Sequence, residues 1–223
     1  MADKNLELDL KGPDRFQALI MDITRYVSEN RKQFYIGVAA VVVIALAASG
    51  WFLYRWQDEK SASALYAQAM NKAQGEQVQP ADIVKAFQEV VTRHPSSEAA
   101  ALASFRLGNI HYLLKDYDAS LKAYQAFISH APARSDLTTL AYTGEGYCYE
   151  AKGDFKNALS SFEKAEKSTG GTHFESMTLR NVARIHESLN DPAKALEYYK
   201  KALGKSNDPF VESLIKVKIA TLG

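Results

Sequence analysis

The chain has 223 residues with 27 Lys and Arg against 26 Asp and Glu, a formal charge of +1. That balance argues against a nucleic-acid binder, which needs a basic face to displace counterions from phosphates. Hydrophobic residues make up 47% and charged residues 24%, the composition of ordinary globular protein, so any membrane segment must be local. The single cysteine, Cys148, can close no intramolecular disulfide and completes no zinc pattern, which leaves core packing to hold the fold.

Residues 1–33 read as a cytoplasmic tail carrying an amphipathic helix. Gly12-Pro13 suits a helix start, because proline costs nothing in the first turn. Phe16, Leu19, Ile20, Ile23 and Val27 then recur at helical spacing. Such a stripe fits the inner membrane surface, a partner helix, or a plain extension of the helix that follows.

Residues 34–56 form the expected transmembrane helix. Within FYIGVAAVVVIALAASGWFLY, residues 34–54, only Gly37, Ser49 and Gly50 fall outside the apolar set. As a helix this run spans about 32 Å, the thickness of a bilayer core. Phe34 and Tyr35 stand at one end and Trp51, Tyr54 and Trp56 at the other, an arrangement of aromatic belts. Ala45-Leu46-Ala47 has the form of a signal-peptide cleavage site. However, 33 residues with six acids and six bases precede the run, and the run continues past the site, so an uncleaved anchor is expected. Arg15, Arg25, Arg31 and Lys32 precede the span while only Lys60 and Lys72 follow closely, which points the N-terminus inside and the C-terminal domain out of the cytoplasm.

Residues 57–223 contain an internal repeat. LGNIHYLLKDYDASLKAYQAF from Leu107, EGYCYEAKGDFKNALSSFEKA from Glu145 and VARIHESLNDPAKALEYYKKA from Val182 align at periods of 38 and 37 residues. Gly108, Gly146 and Ala183 share one place, Asp116, Asp154 and Asp191 a second, Tyr124, Phe162 and Tyr199 a third, and Phe127, Ala165 and Ala202 a fourth. Each unit reads as two antiparallel helices joined by a tight turn at the Asp. The small residue lets the second helix approach the first, and the aromatic fills the space between units. One hairpin cannot bury its apolar face alone, so the units are expected to stack into a solenoid. The pattern resembles the tetratricopeptide repeat, whose period is about 34 residues. The likeness lies in the turn and second helix, since Ser104, Tyr142 and Leu179 occupy the usual tryptophan place. The extra residues are expected in the connections near Pro132–Asp136 and Gly170–Thr172.

A degenerate unit precedes these, with Ala62, Leu65, Tyr66 and Met70 on its first helix, Ile83, Phe87 and Val90 on its second, and Pro95 closing it. Asp208 and Pro209 open a last helix by N-cap and first-turn logic. Val211, Leu214, Ile215 and Ile219 are expected to cover the final repeat as a cap. The fold class is therefore all-α: one transmembrane helix, then a tetratricopeptide-like solenoid of helical hairpins with a C-terminal capping helix.

No catalytic constellation stands out. His94, His111, His130, His173 and His186 show no metal spacing, and Gly170-Gly171 is an isolated turn pair rather than a phosphate loop. Cys148 sits on a first helix, where a small buried residue is the plain reading. The expectation is no enzyme, no cofactor, no metal and no small-molecule substrate. What remains is surface. By helical spacing the first helices present Phe105, Asn109 and Tyr112, then Tyr147 and Glu150, then Arg180 and Arg184 along one groove, a partner-binding face of aromatics beside arginines. Packing between helices is an equal alternative for Phe105.

Three stretches carry a family resemblance: Glu29-Asn30-Arg31-Lys32 before the apolar run, Ser61-Ala62-Ser63-Ala64-Leu65-Tyr66 after it, and SLIKVKIATL over residues 213–222, with Lys218-Ile219 and Leu222. With them the layout resembles the YfgM-type family of bacterial inner-membrane proteins with a periplasmic tetratricopeptide domain. The resemblance implies a periplasmic interaction module ancillary to the Sec translocon, assisting a membrane-anchored periplasmic chaperone of the prolyl-isomerase type with emerging proteins. The repeats here are clearer than in that family and are shared by many scaffolds. An envelope assembly scaffold, for cytochrome maturation or cell-wall machinery, and a peptide receptor are the alternatives. A two-carboxylate clamp would favour the receptor, yet the groove offers Asn109 without matching lysines.

Overall fold

The computed structural model describes residues 15–75, 77–131, 135–169 and 174–223. The expected helix start at Gly12-Pro13, the Phe16 side chain, most of both expected repeat connections and His173 lie outside that description. Among the described residues every regular element is a helix, and the chain divides into two compact units, one ending at Trp56 and one running Gln57–Gly223.

The first unit holds α1 (Arg15–Glu29) and the first part of α2 (Arg31–Ala73). Helix α2 is long and apolar enough to cross a membrane, and none of its apolar window is buried. Val41, Val43, Ile44 and Leu46 are all more than 60% exposed, so this is no core helix of the described fold.

The second unit is built from helical hairpins. The last part of α2 packs its side chains on α3 (Pro80–Arg93), with Tyr66 5.7 Å from Phe87; α4 (Glu98–Leu113) pairs with α5 (Tyr117–Ile128), α6 (Asp136–Ala151) with α7 (Phe155–Ser168), and α8 (Glu175–Ser188) with α9 (Pro192–Leu203). Helix α10 (Pro209–Leu222) closes the array on α9. The repeating Asp is the N-cap of α5, α7 and α9: the carboxylates of Asp116, Asp154 and Asp191 accept from the backbone N–H of Ala119, Asn157 and Lys194. The residue before it closes the first helix in the left-handed conformation, at φ 61° for Lys115, 75° for Gly153 and 60° for Asn190. The Asp N–H then reaches back five residues, to the carbonyls of His111, Tyr149 and His186, each at 2.9 Å. This is a Schellman closure whose last residue doubles as the next N-cap. A left-handed lysine is costly and a glycine is not. Lys115→Gly is therefore expected to raise stability by up to about 1 kcal/mol and Gly153→Ala to lower it by about as much. Urea midpoints read both.

Packing follows from the small–aromatic pairs. A Cβ added at Gly108 would stand 2.6 Å from the Tyr124 ring, and one at Gly146 would stand 2.6 Å from the Phe162 ring. Tyr124 also lies on Gly144 of the following hairpin, where a Cβ would come within 2.4 Å. The second-helix aromatic thus fills the space both within and between units. Cys148 is fully buried, donates to Ser120 Oγ at 3.1 Å, and burial pushes its thiol pKa up. The degenerate first unit packs as expected, with Leu65, Tyr66, Met70 and Ile83 around Ala62, Phe87 and Val90. Glu59 at its start accepts from the backbone N–H of Glu98 at 2.9 Å, tying α2 to the head of α4.

The cap differs in one residue. Val211, Ile215 and Ile219 pack on the last repeat as expected, but Leu214 is 47% exposed. Residue 214 is one helical step of 100° from Ile215, which the buried stripe occupies, so it turns out of that contact. Phe210 and Val217 join it in a second apolar stripe.

Candidate functional site: the groove of the first helices

The groove is assembled from α4, α6, α8 and α10. One cleft of about 570 Å³ brings together Tyr112, Tyr147, Glu150, Arg180 and Arg184, with Ala151 and Asn181. A second, of about 310 Å³, shares Arg180, Asn181 and Arg184 and continues over Tyr199, Leu214, Val217 and Lys218. Five of the seven expected residues therefore meet. The other two do not line either cleft. Phe105 is only 8% exposed, its ring 5.4 Å from Phe127 and 6.0 Å from Tyr124, and it is a core residue. Asn109 is half-buried and its Oδ1 accepts from the Tyr124 hydroxyl at 2.7 Å.

An aromatic ladder reaches the first cleft at Tyr112 and Tyr147. Tyr117 meets Tyr112 at 5.7 Å, Tyr112 meets Tyr147 at 6.4 Å, and Tyr147 stands edge-on to Phe162 at 5.2 Å. The Arg184 guanidinium closes the ladder, 5.7 Å from the Tyr147 ring and 5.9 Å from that of Phe162, and it pairs with Glu150. Arg184 therefore binds α8 to α6 and α7, so repeat packing uses this member of the expected partner-binding face. Tyr147 donates to Asn181 Oδ1 at 3.2 Å, while the Asn181 amide N–H₂ is buried with no acceptor among the described residues. A buried donor left open costs about 1–3 kcal/mol unless a ligand supplies the acceptor.

The charges resolve the same way. Lys218 and the Tyr199 hydroxyl both donate to Glu187. Burial works to raise the Glu187 pKa, but those two bonds outweigh it and hold the carboxyl below its usual range. With Arg184 on Glu150 and Lys218 on Glu187, Arg180 is the groove cation without an ion pair among the described residues. As groove residues, Asn181, Tyr199, Leu214 and Val217 are not among those the spacing predicts. Asn181 stands in the repeat place of Arg106 and Gly144, where nothing recurs, so periodicity gives no signal there.

His186 is a packing residue. His186 is buried and stacked on Tyr198 at 5.6 Å, and burial lowers its pKa despite Asp191 at 3.8 Å. The unfolded chain, with an ordinary histidine pKa of about 6.5, then binds the proton more readily than the folded chain. His186 contributes fully above that pH, and stability falls as pH drops through it. His186→Phe is expected to flatten this slope, read as melting temperature between pH 7.5 and pH 5.

Comparison with known proteins agrees with this geometry. Photosystem I assembly protein Ycf3 of Cyanophora paradoxa is 36% identical over 63 residues, 28% of this chain and 36% of that protein. Ycf3 of Rippkaea orientalis is 31% identical over 91 residues, 41% of this chain and 45% of that protein. The chain thus spans less than half the length of these curated relatives. Crystal structures of MamA share the fold: one at 21% identity covers 65% of this chain and 77% of that one with a TM-score of 0.55. MamA of Desulfovibrio magneticus, at 20% identity, covers 65% and 75% with a TM-score of 0.53. The tetratricopeptide repeat-like domain family matches residues 24–223. With helical hairpins filling that range from Gln57 to Leu203, the chain belongs to the tetratricopeptide repeat-like domain family, a fold for binding other proteins.

Proposed function

We infer that the chain is a membrane-anchored interaction module. In this reading residues 34–56 cross the bacterial inner membrane, residues 1–33 lie in the cytoplasm, and residues 57–223 form an independent periplasmic domain. Its groove binds an acidic segment of a partner protein. The observation that carries the groove reading is Arg180, a cation without an ion pair among the described residues that lines both clefts, beside the Tyr112–Tyr147 ladder and Leu214. Aromatics and arginines in partly desolvated clefts are the usual anchors of interfaces. The resemblance to the YfgM-type family supports a place beside the Sec translocon, assisting a membrane-anchored periplasmic chaperone with emerging proteins. A second reading, an assembly scaffold, is favoured by the likeness to Ycf3, whose name describes photosystem I assembly.

Photo-crosslinking tests the groove. A crosslinking residue at Tyr112 or Val217 is expected to capture protein partners in membranes, while one at exposed Lys122 or Lys156 on the second helices captures few. Equal capture from both faces would remove the groove from the proposal. Reporters fused after Gly223 test the orientation, and activity only in the cytoplasm would reverse it. Translocon or chaperone subunits among the captured proteins favour the first reading, and subunits of one unfinished complex favour the scaffold.

A further inference from the structure

Helix α1 has an apolar face that nothing among the described residues covers. Leu19, Ile20, Ile23 and Tyr26 are 57%, 47%, 52% and 62% exposed, and Val27 is half-buried. At 100° per residue these five side chains fall within about 120° of the helix circumference. Asp22, Thr24, Arg25, Ser28 and Glu29 take the other side and satisfy much of their own bonding. Arg25 Nε pairs with Glu29 at 3.3 Å, and the Thr24 and Ser28 hydroxyls bond carbonyls of their own helix. Met21 is the one large apolar residue on that side, at 58% exposure.

The width and the place of the face identify its occupant. A helix-pairing seam is narrow, two positions in seven, whereas a stripe of about 120° suits a broad apolar surface. Only Asn30 separates α1 from α2, and backbone bonds run through it, Asn30 N–H to the Tyr26 carbonyl at 2.9 Å and Phe34 N–H to the Asn30 carbonyl at 3.0 Å. Through that link Ile20, Ile23 and Val27 fall on the same side as Phe34, where the apolar run begins. Four residues after α1 the chain is in that run, so the stripe starts within about 10 Å of it along the axis. Residues 15–33 carry Arg15, Arg25, Arg31 and Lys32 against Asp22 and Glu29, a small positive excess suited to anionic headgroups.

We propose that α1 turns at the one-residue break, Asn30, and lies along the bilayer surface, with Leu19, Ile20, Ile23, Tyr26 and Val27 in the headgroup–acyl boundary and Arg25 and Ser28 in water. The occupant of the face is lipid. This rests on α2 crossing the membrane, and the test separates the two. The full chain carrying Cys148→Ala receives one new thiol at a time, Ile23→Cys, Val27→Cys, Thr24→Cys, Ser28→Cys or Val43→Cys, for spin labelling in vesicles of phosphatidylethanolamine and phosphatidylglycerol. Labels at 23 and 27 are expected to be relaxed by oxygen, which concentrates in lipid, and labels at 24 and 28 by a water-soluble nickel chelate. Equal nickel access at all four positions overturns the proposal. So does dipolar coupling between labels at 23 on two copies, which would make the occupant a second chain. A label at Val43 that meets nickel rather than oxygen overturns the crossing of α2, while positions 23 and 27 still decide α1.

Discussion

Phe162→Ala is expected to lower stability by about 3–5 kcal/mol, the usual cost of emptying a fully enclosed aromatic site. The ring has no exposed surface, lies on Gly146, meets Tyr147 at 5.2 Å and sits beneath the Arg184 guanidinium. Val182 and Ile185 of the next hairpin pack in the same cluster, so no side can collapse cheaply. The pairing with Gly146 gives a sharper test. Gly146→Ala alone should destabilise, because its methyl would stand 2.6 Å from the ring and the ring has nowhere to retreat. In the Phe162→Ala background the same methyl enters the void, and alanine exceeds glycine as a helix former by about 1 kcal/mol. The double variant is therefore expected to be more stable than Phe162→Ala alone. Urea unfolding of the chain in mild detergent, followed by far-ultraviolet circular dichroism, measures the cycle. Additive losses, or a Phe162→Ala loss below about 1 kcal/mol, would remove the small–aromatic contact as the unit of cohesion.

That contact was legible in the sequence because it recurs. Gly108 with Tyr124 and Gly146 with Phe162 keep the same spacing, and the Asp that caps α5, α7 and α9 keeps its own. Period reports which residues are equivalent along the chain. It does not report how far each helix is rotated about its axis against its neighbours. Gly144 was missed for that reason: it receives Tyr124 from the preceding unit, a contact with no repeat partner. Spacing leaves Phe105 equally between the groove and the helix packing, and the rotation of α4 turns it onto Phe127 and Tyr124. Leu214 was placed beneath the cap when it faces out beside Arg180. The groove was thus readable at Tyr112, Tyr147, Glu150, Arg180 and Arg184, and not at Asn181 or at its end on α10.

Arg180 and Arg184 are four residues apart on α8 and line the same clefts, yet opposite consequences are expected from changing them. Arg184→Ala strips a guanidinium from two rings and leaves Glu150 without its partner. The pair itself counts for little, since the arginine side chain is 38% exposed and screened by solvent. The ring contacts add roughly 0.5–2 kcal/mol, so a stability loss of about 1–2 kcal/mol is expected. A drop in partner recovery from that variant would say nothing certain about binding. Arg180→Glu breaks no ion pair among the described residues, so its unfolding midpoint should stay within about 0.5 kcal/mol. Binding of an acidic segment should suffer instead. Loss of one arginine anchor costs about 1–4 kcal/mol, and reversing its sign adds repulsion, so recovery should fall at least about tenfold. Recovery by the unaltered chain should weaken as salt rises, because a partly exposed charge is screened within about 10 Å at 0.1 M, and Arg180→Glu should lose most of that salt dependence. The measurement is quantitative co-purification from membranes at two ionic strengths, beside thermal unfolding of each variant. If Arg180→Glu returns the same partners in the same amounts at both salts, the groove is not the binding face. Phe210 on α10, 71% exposed and outside both clefts, would then be the residue to change next.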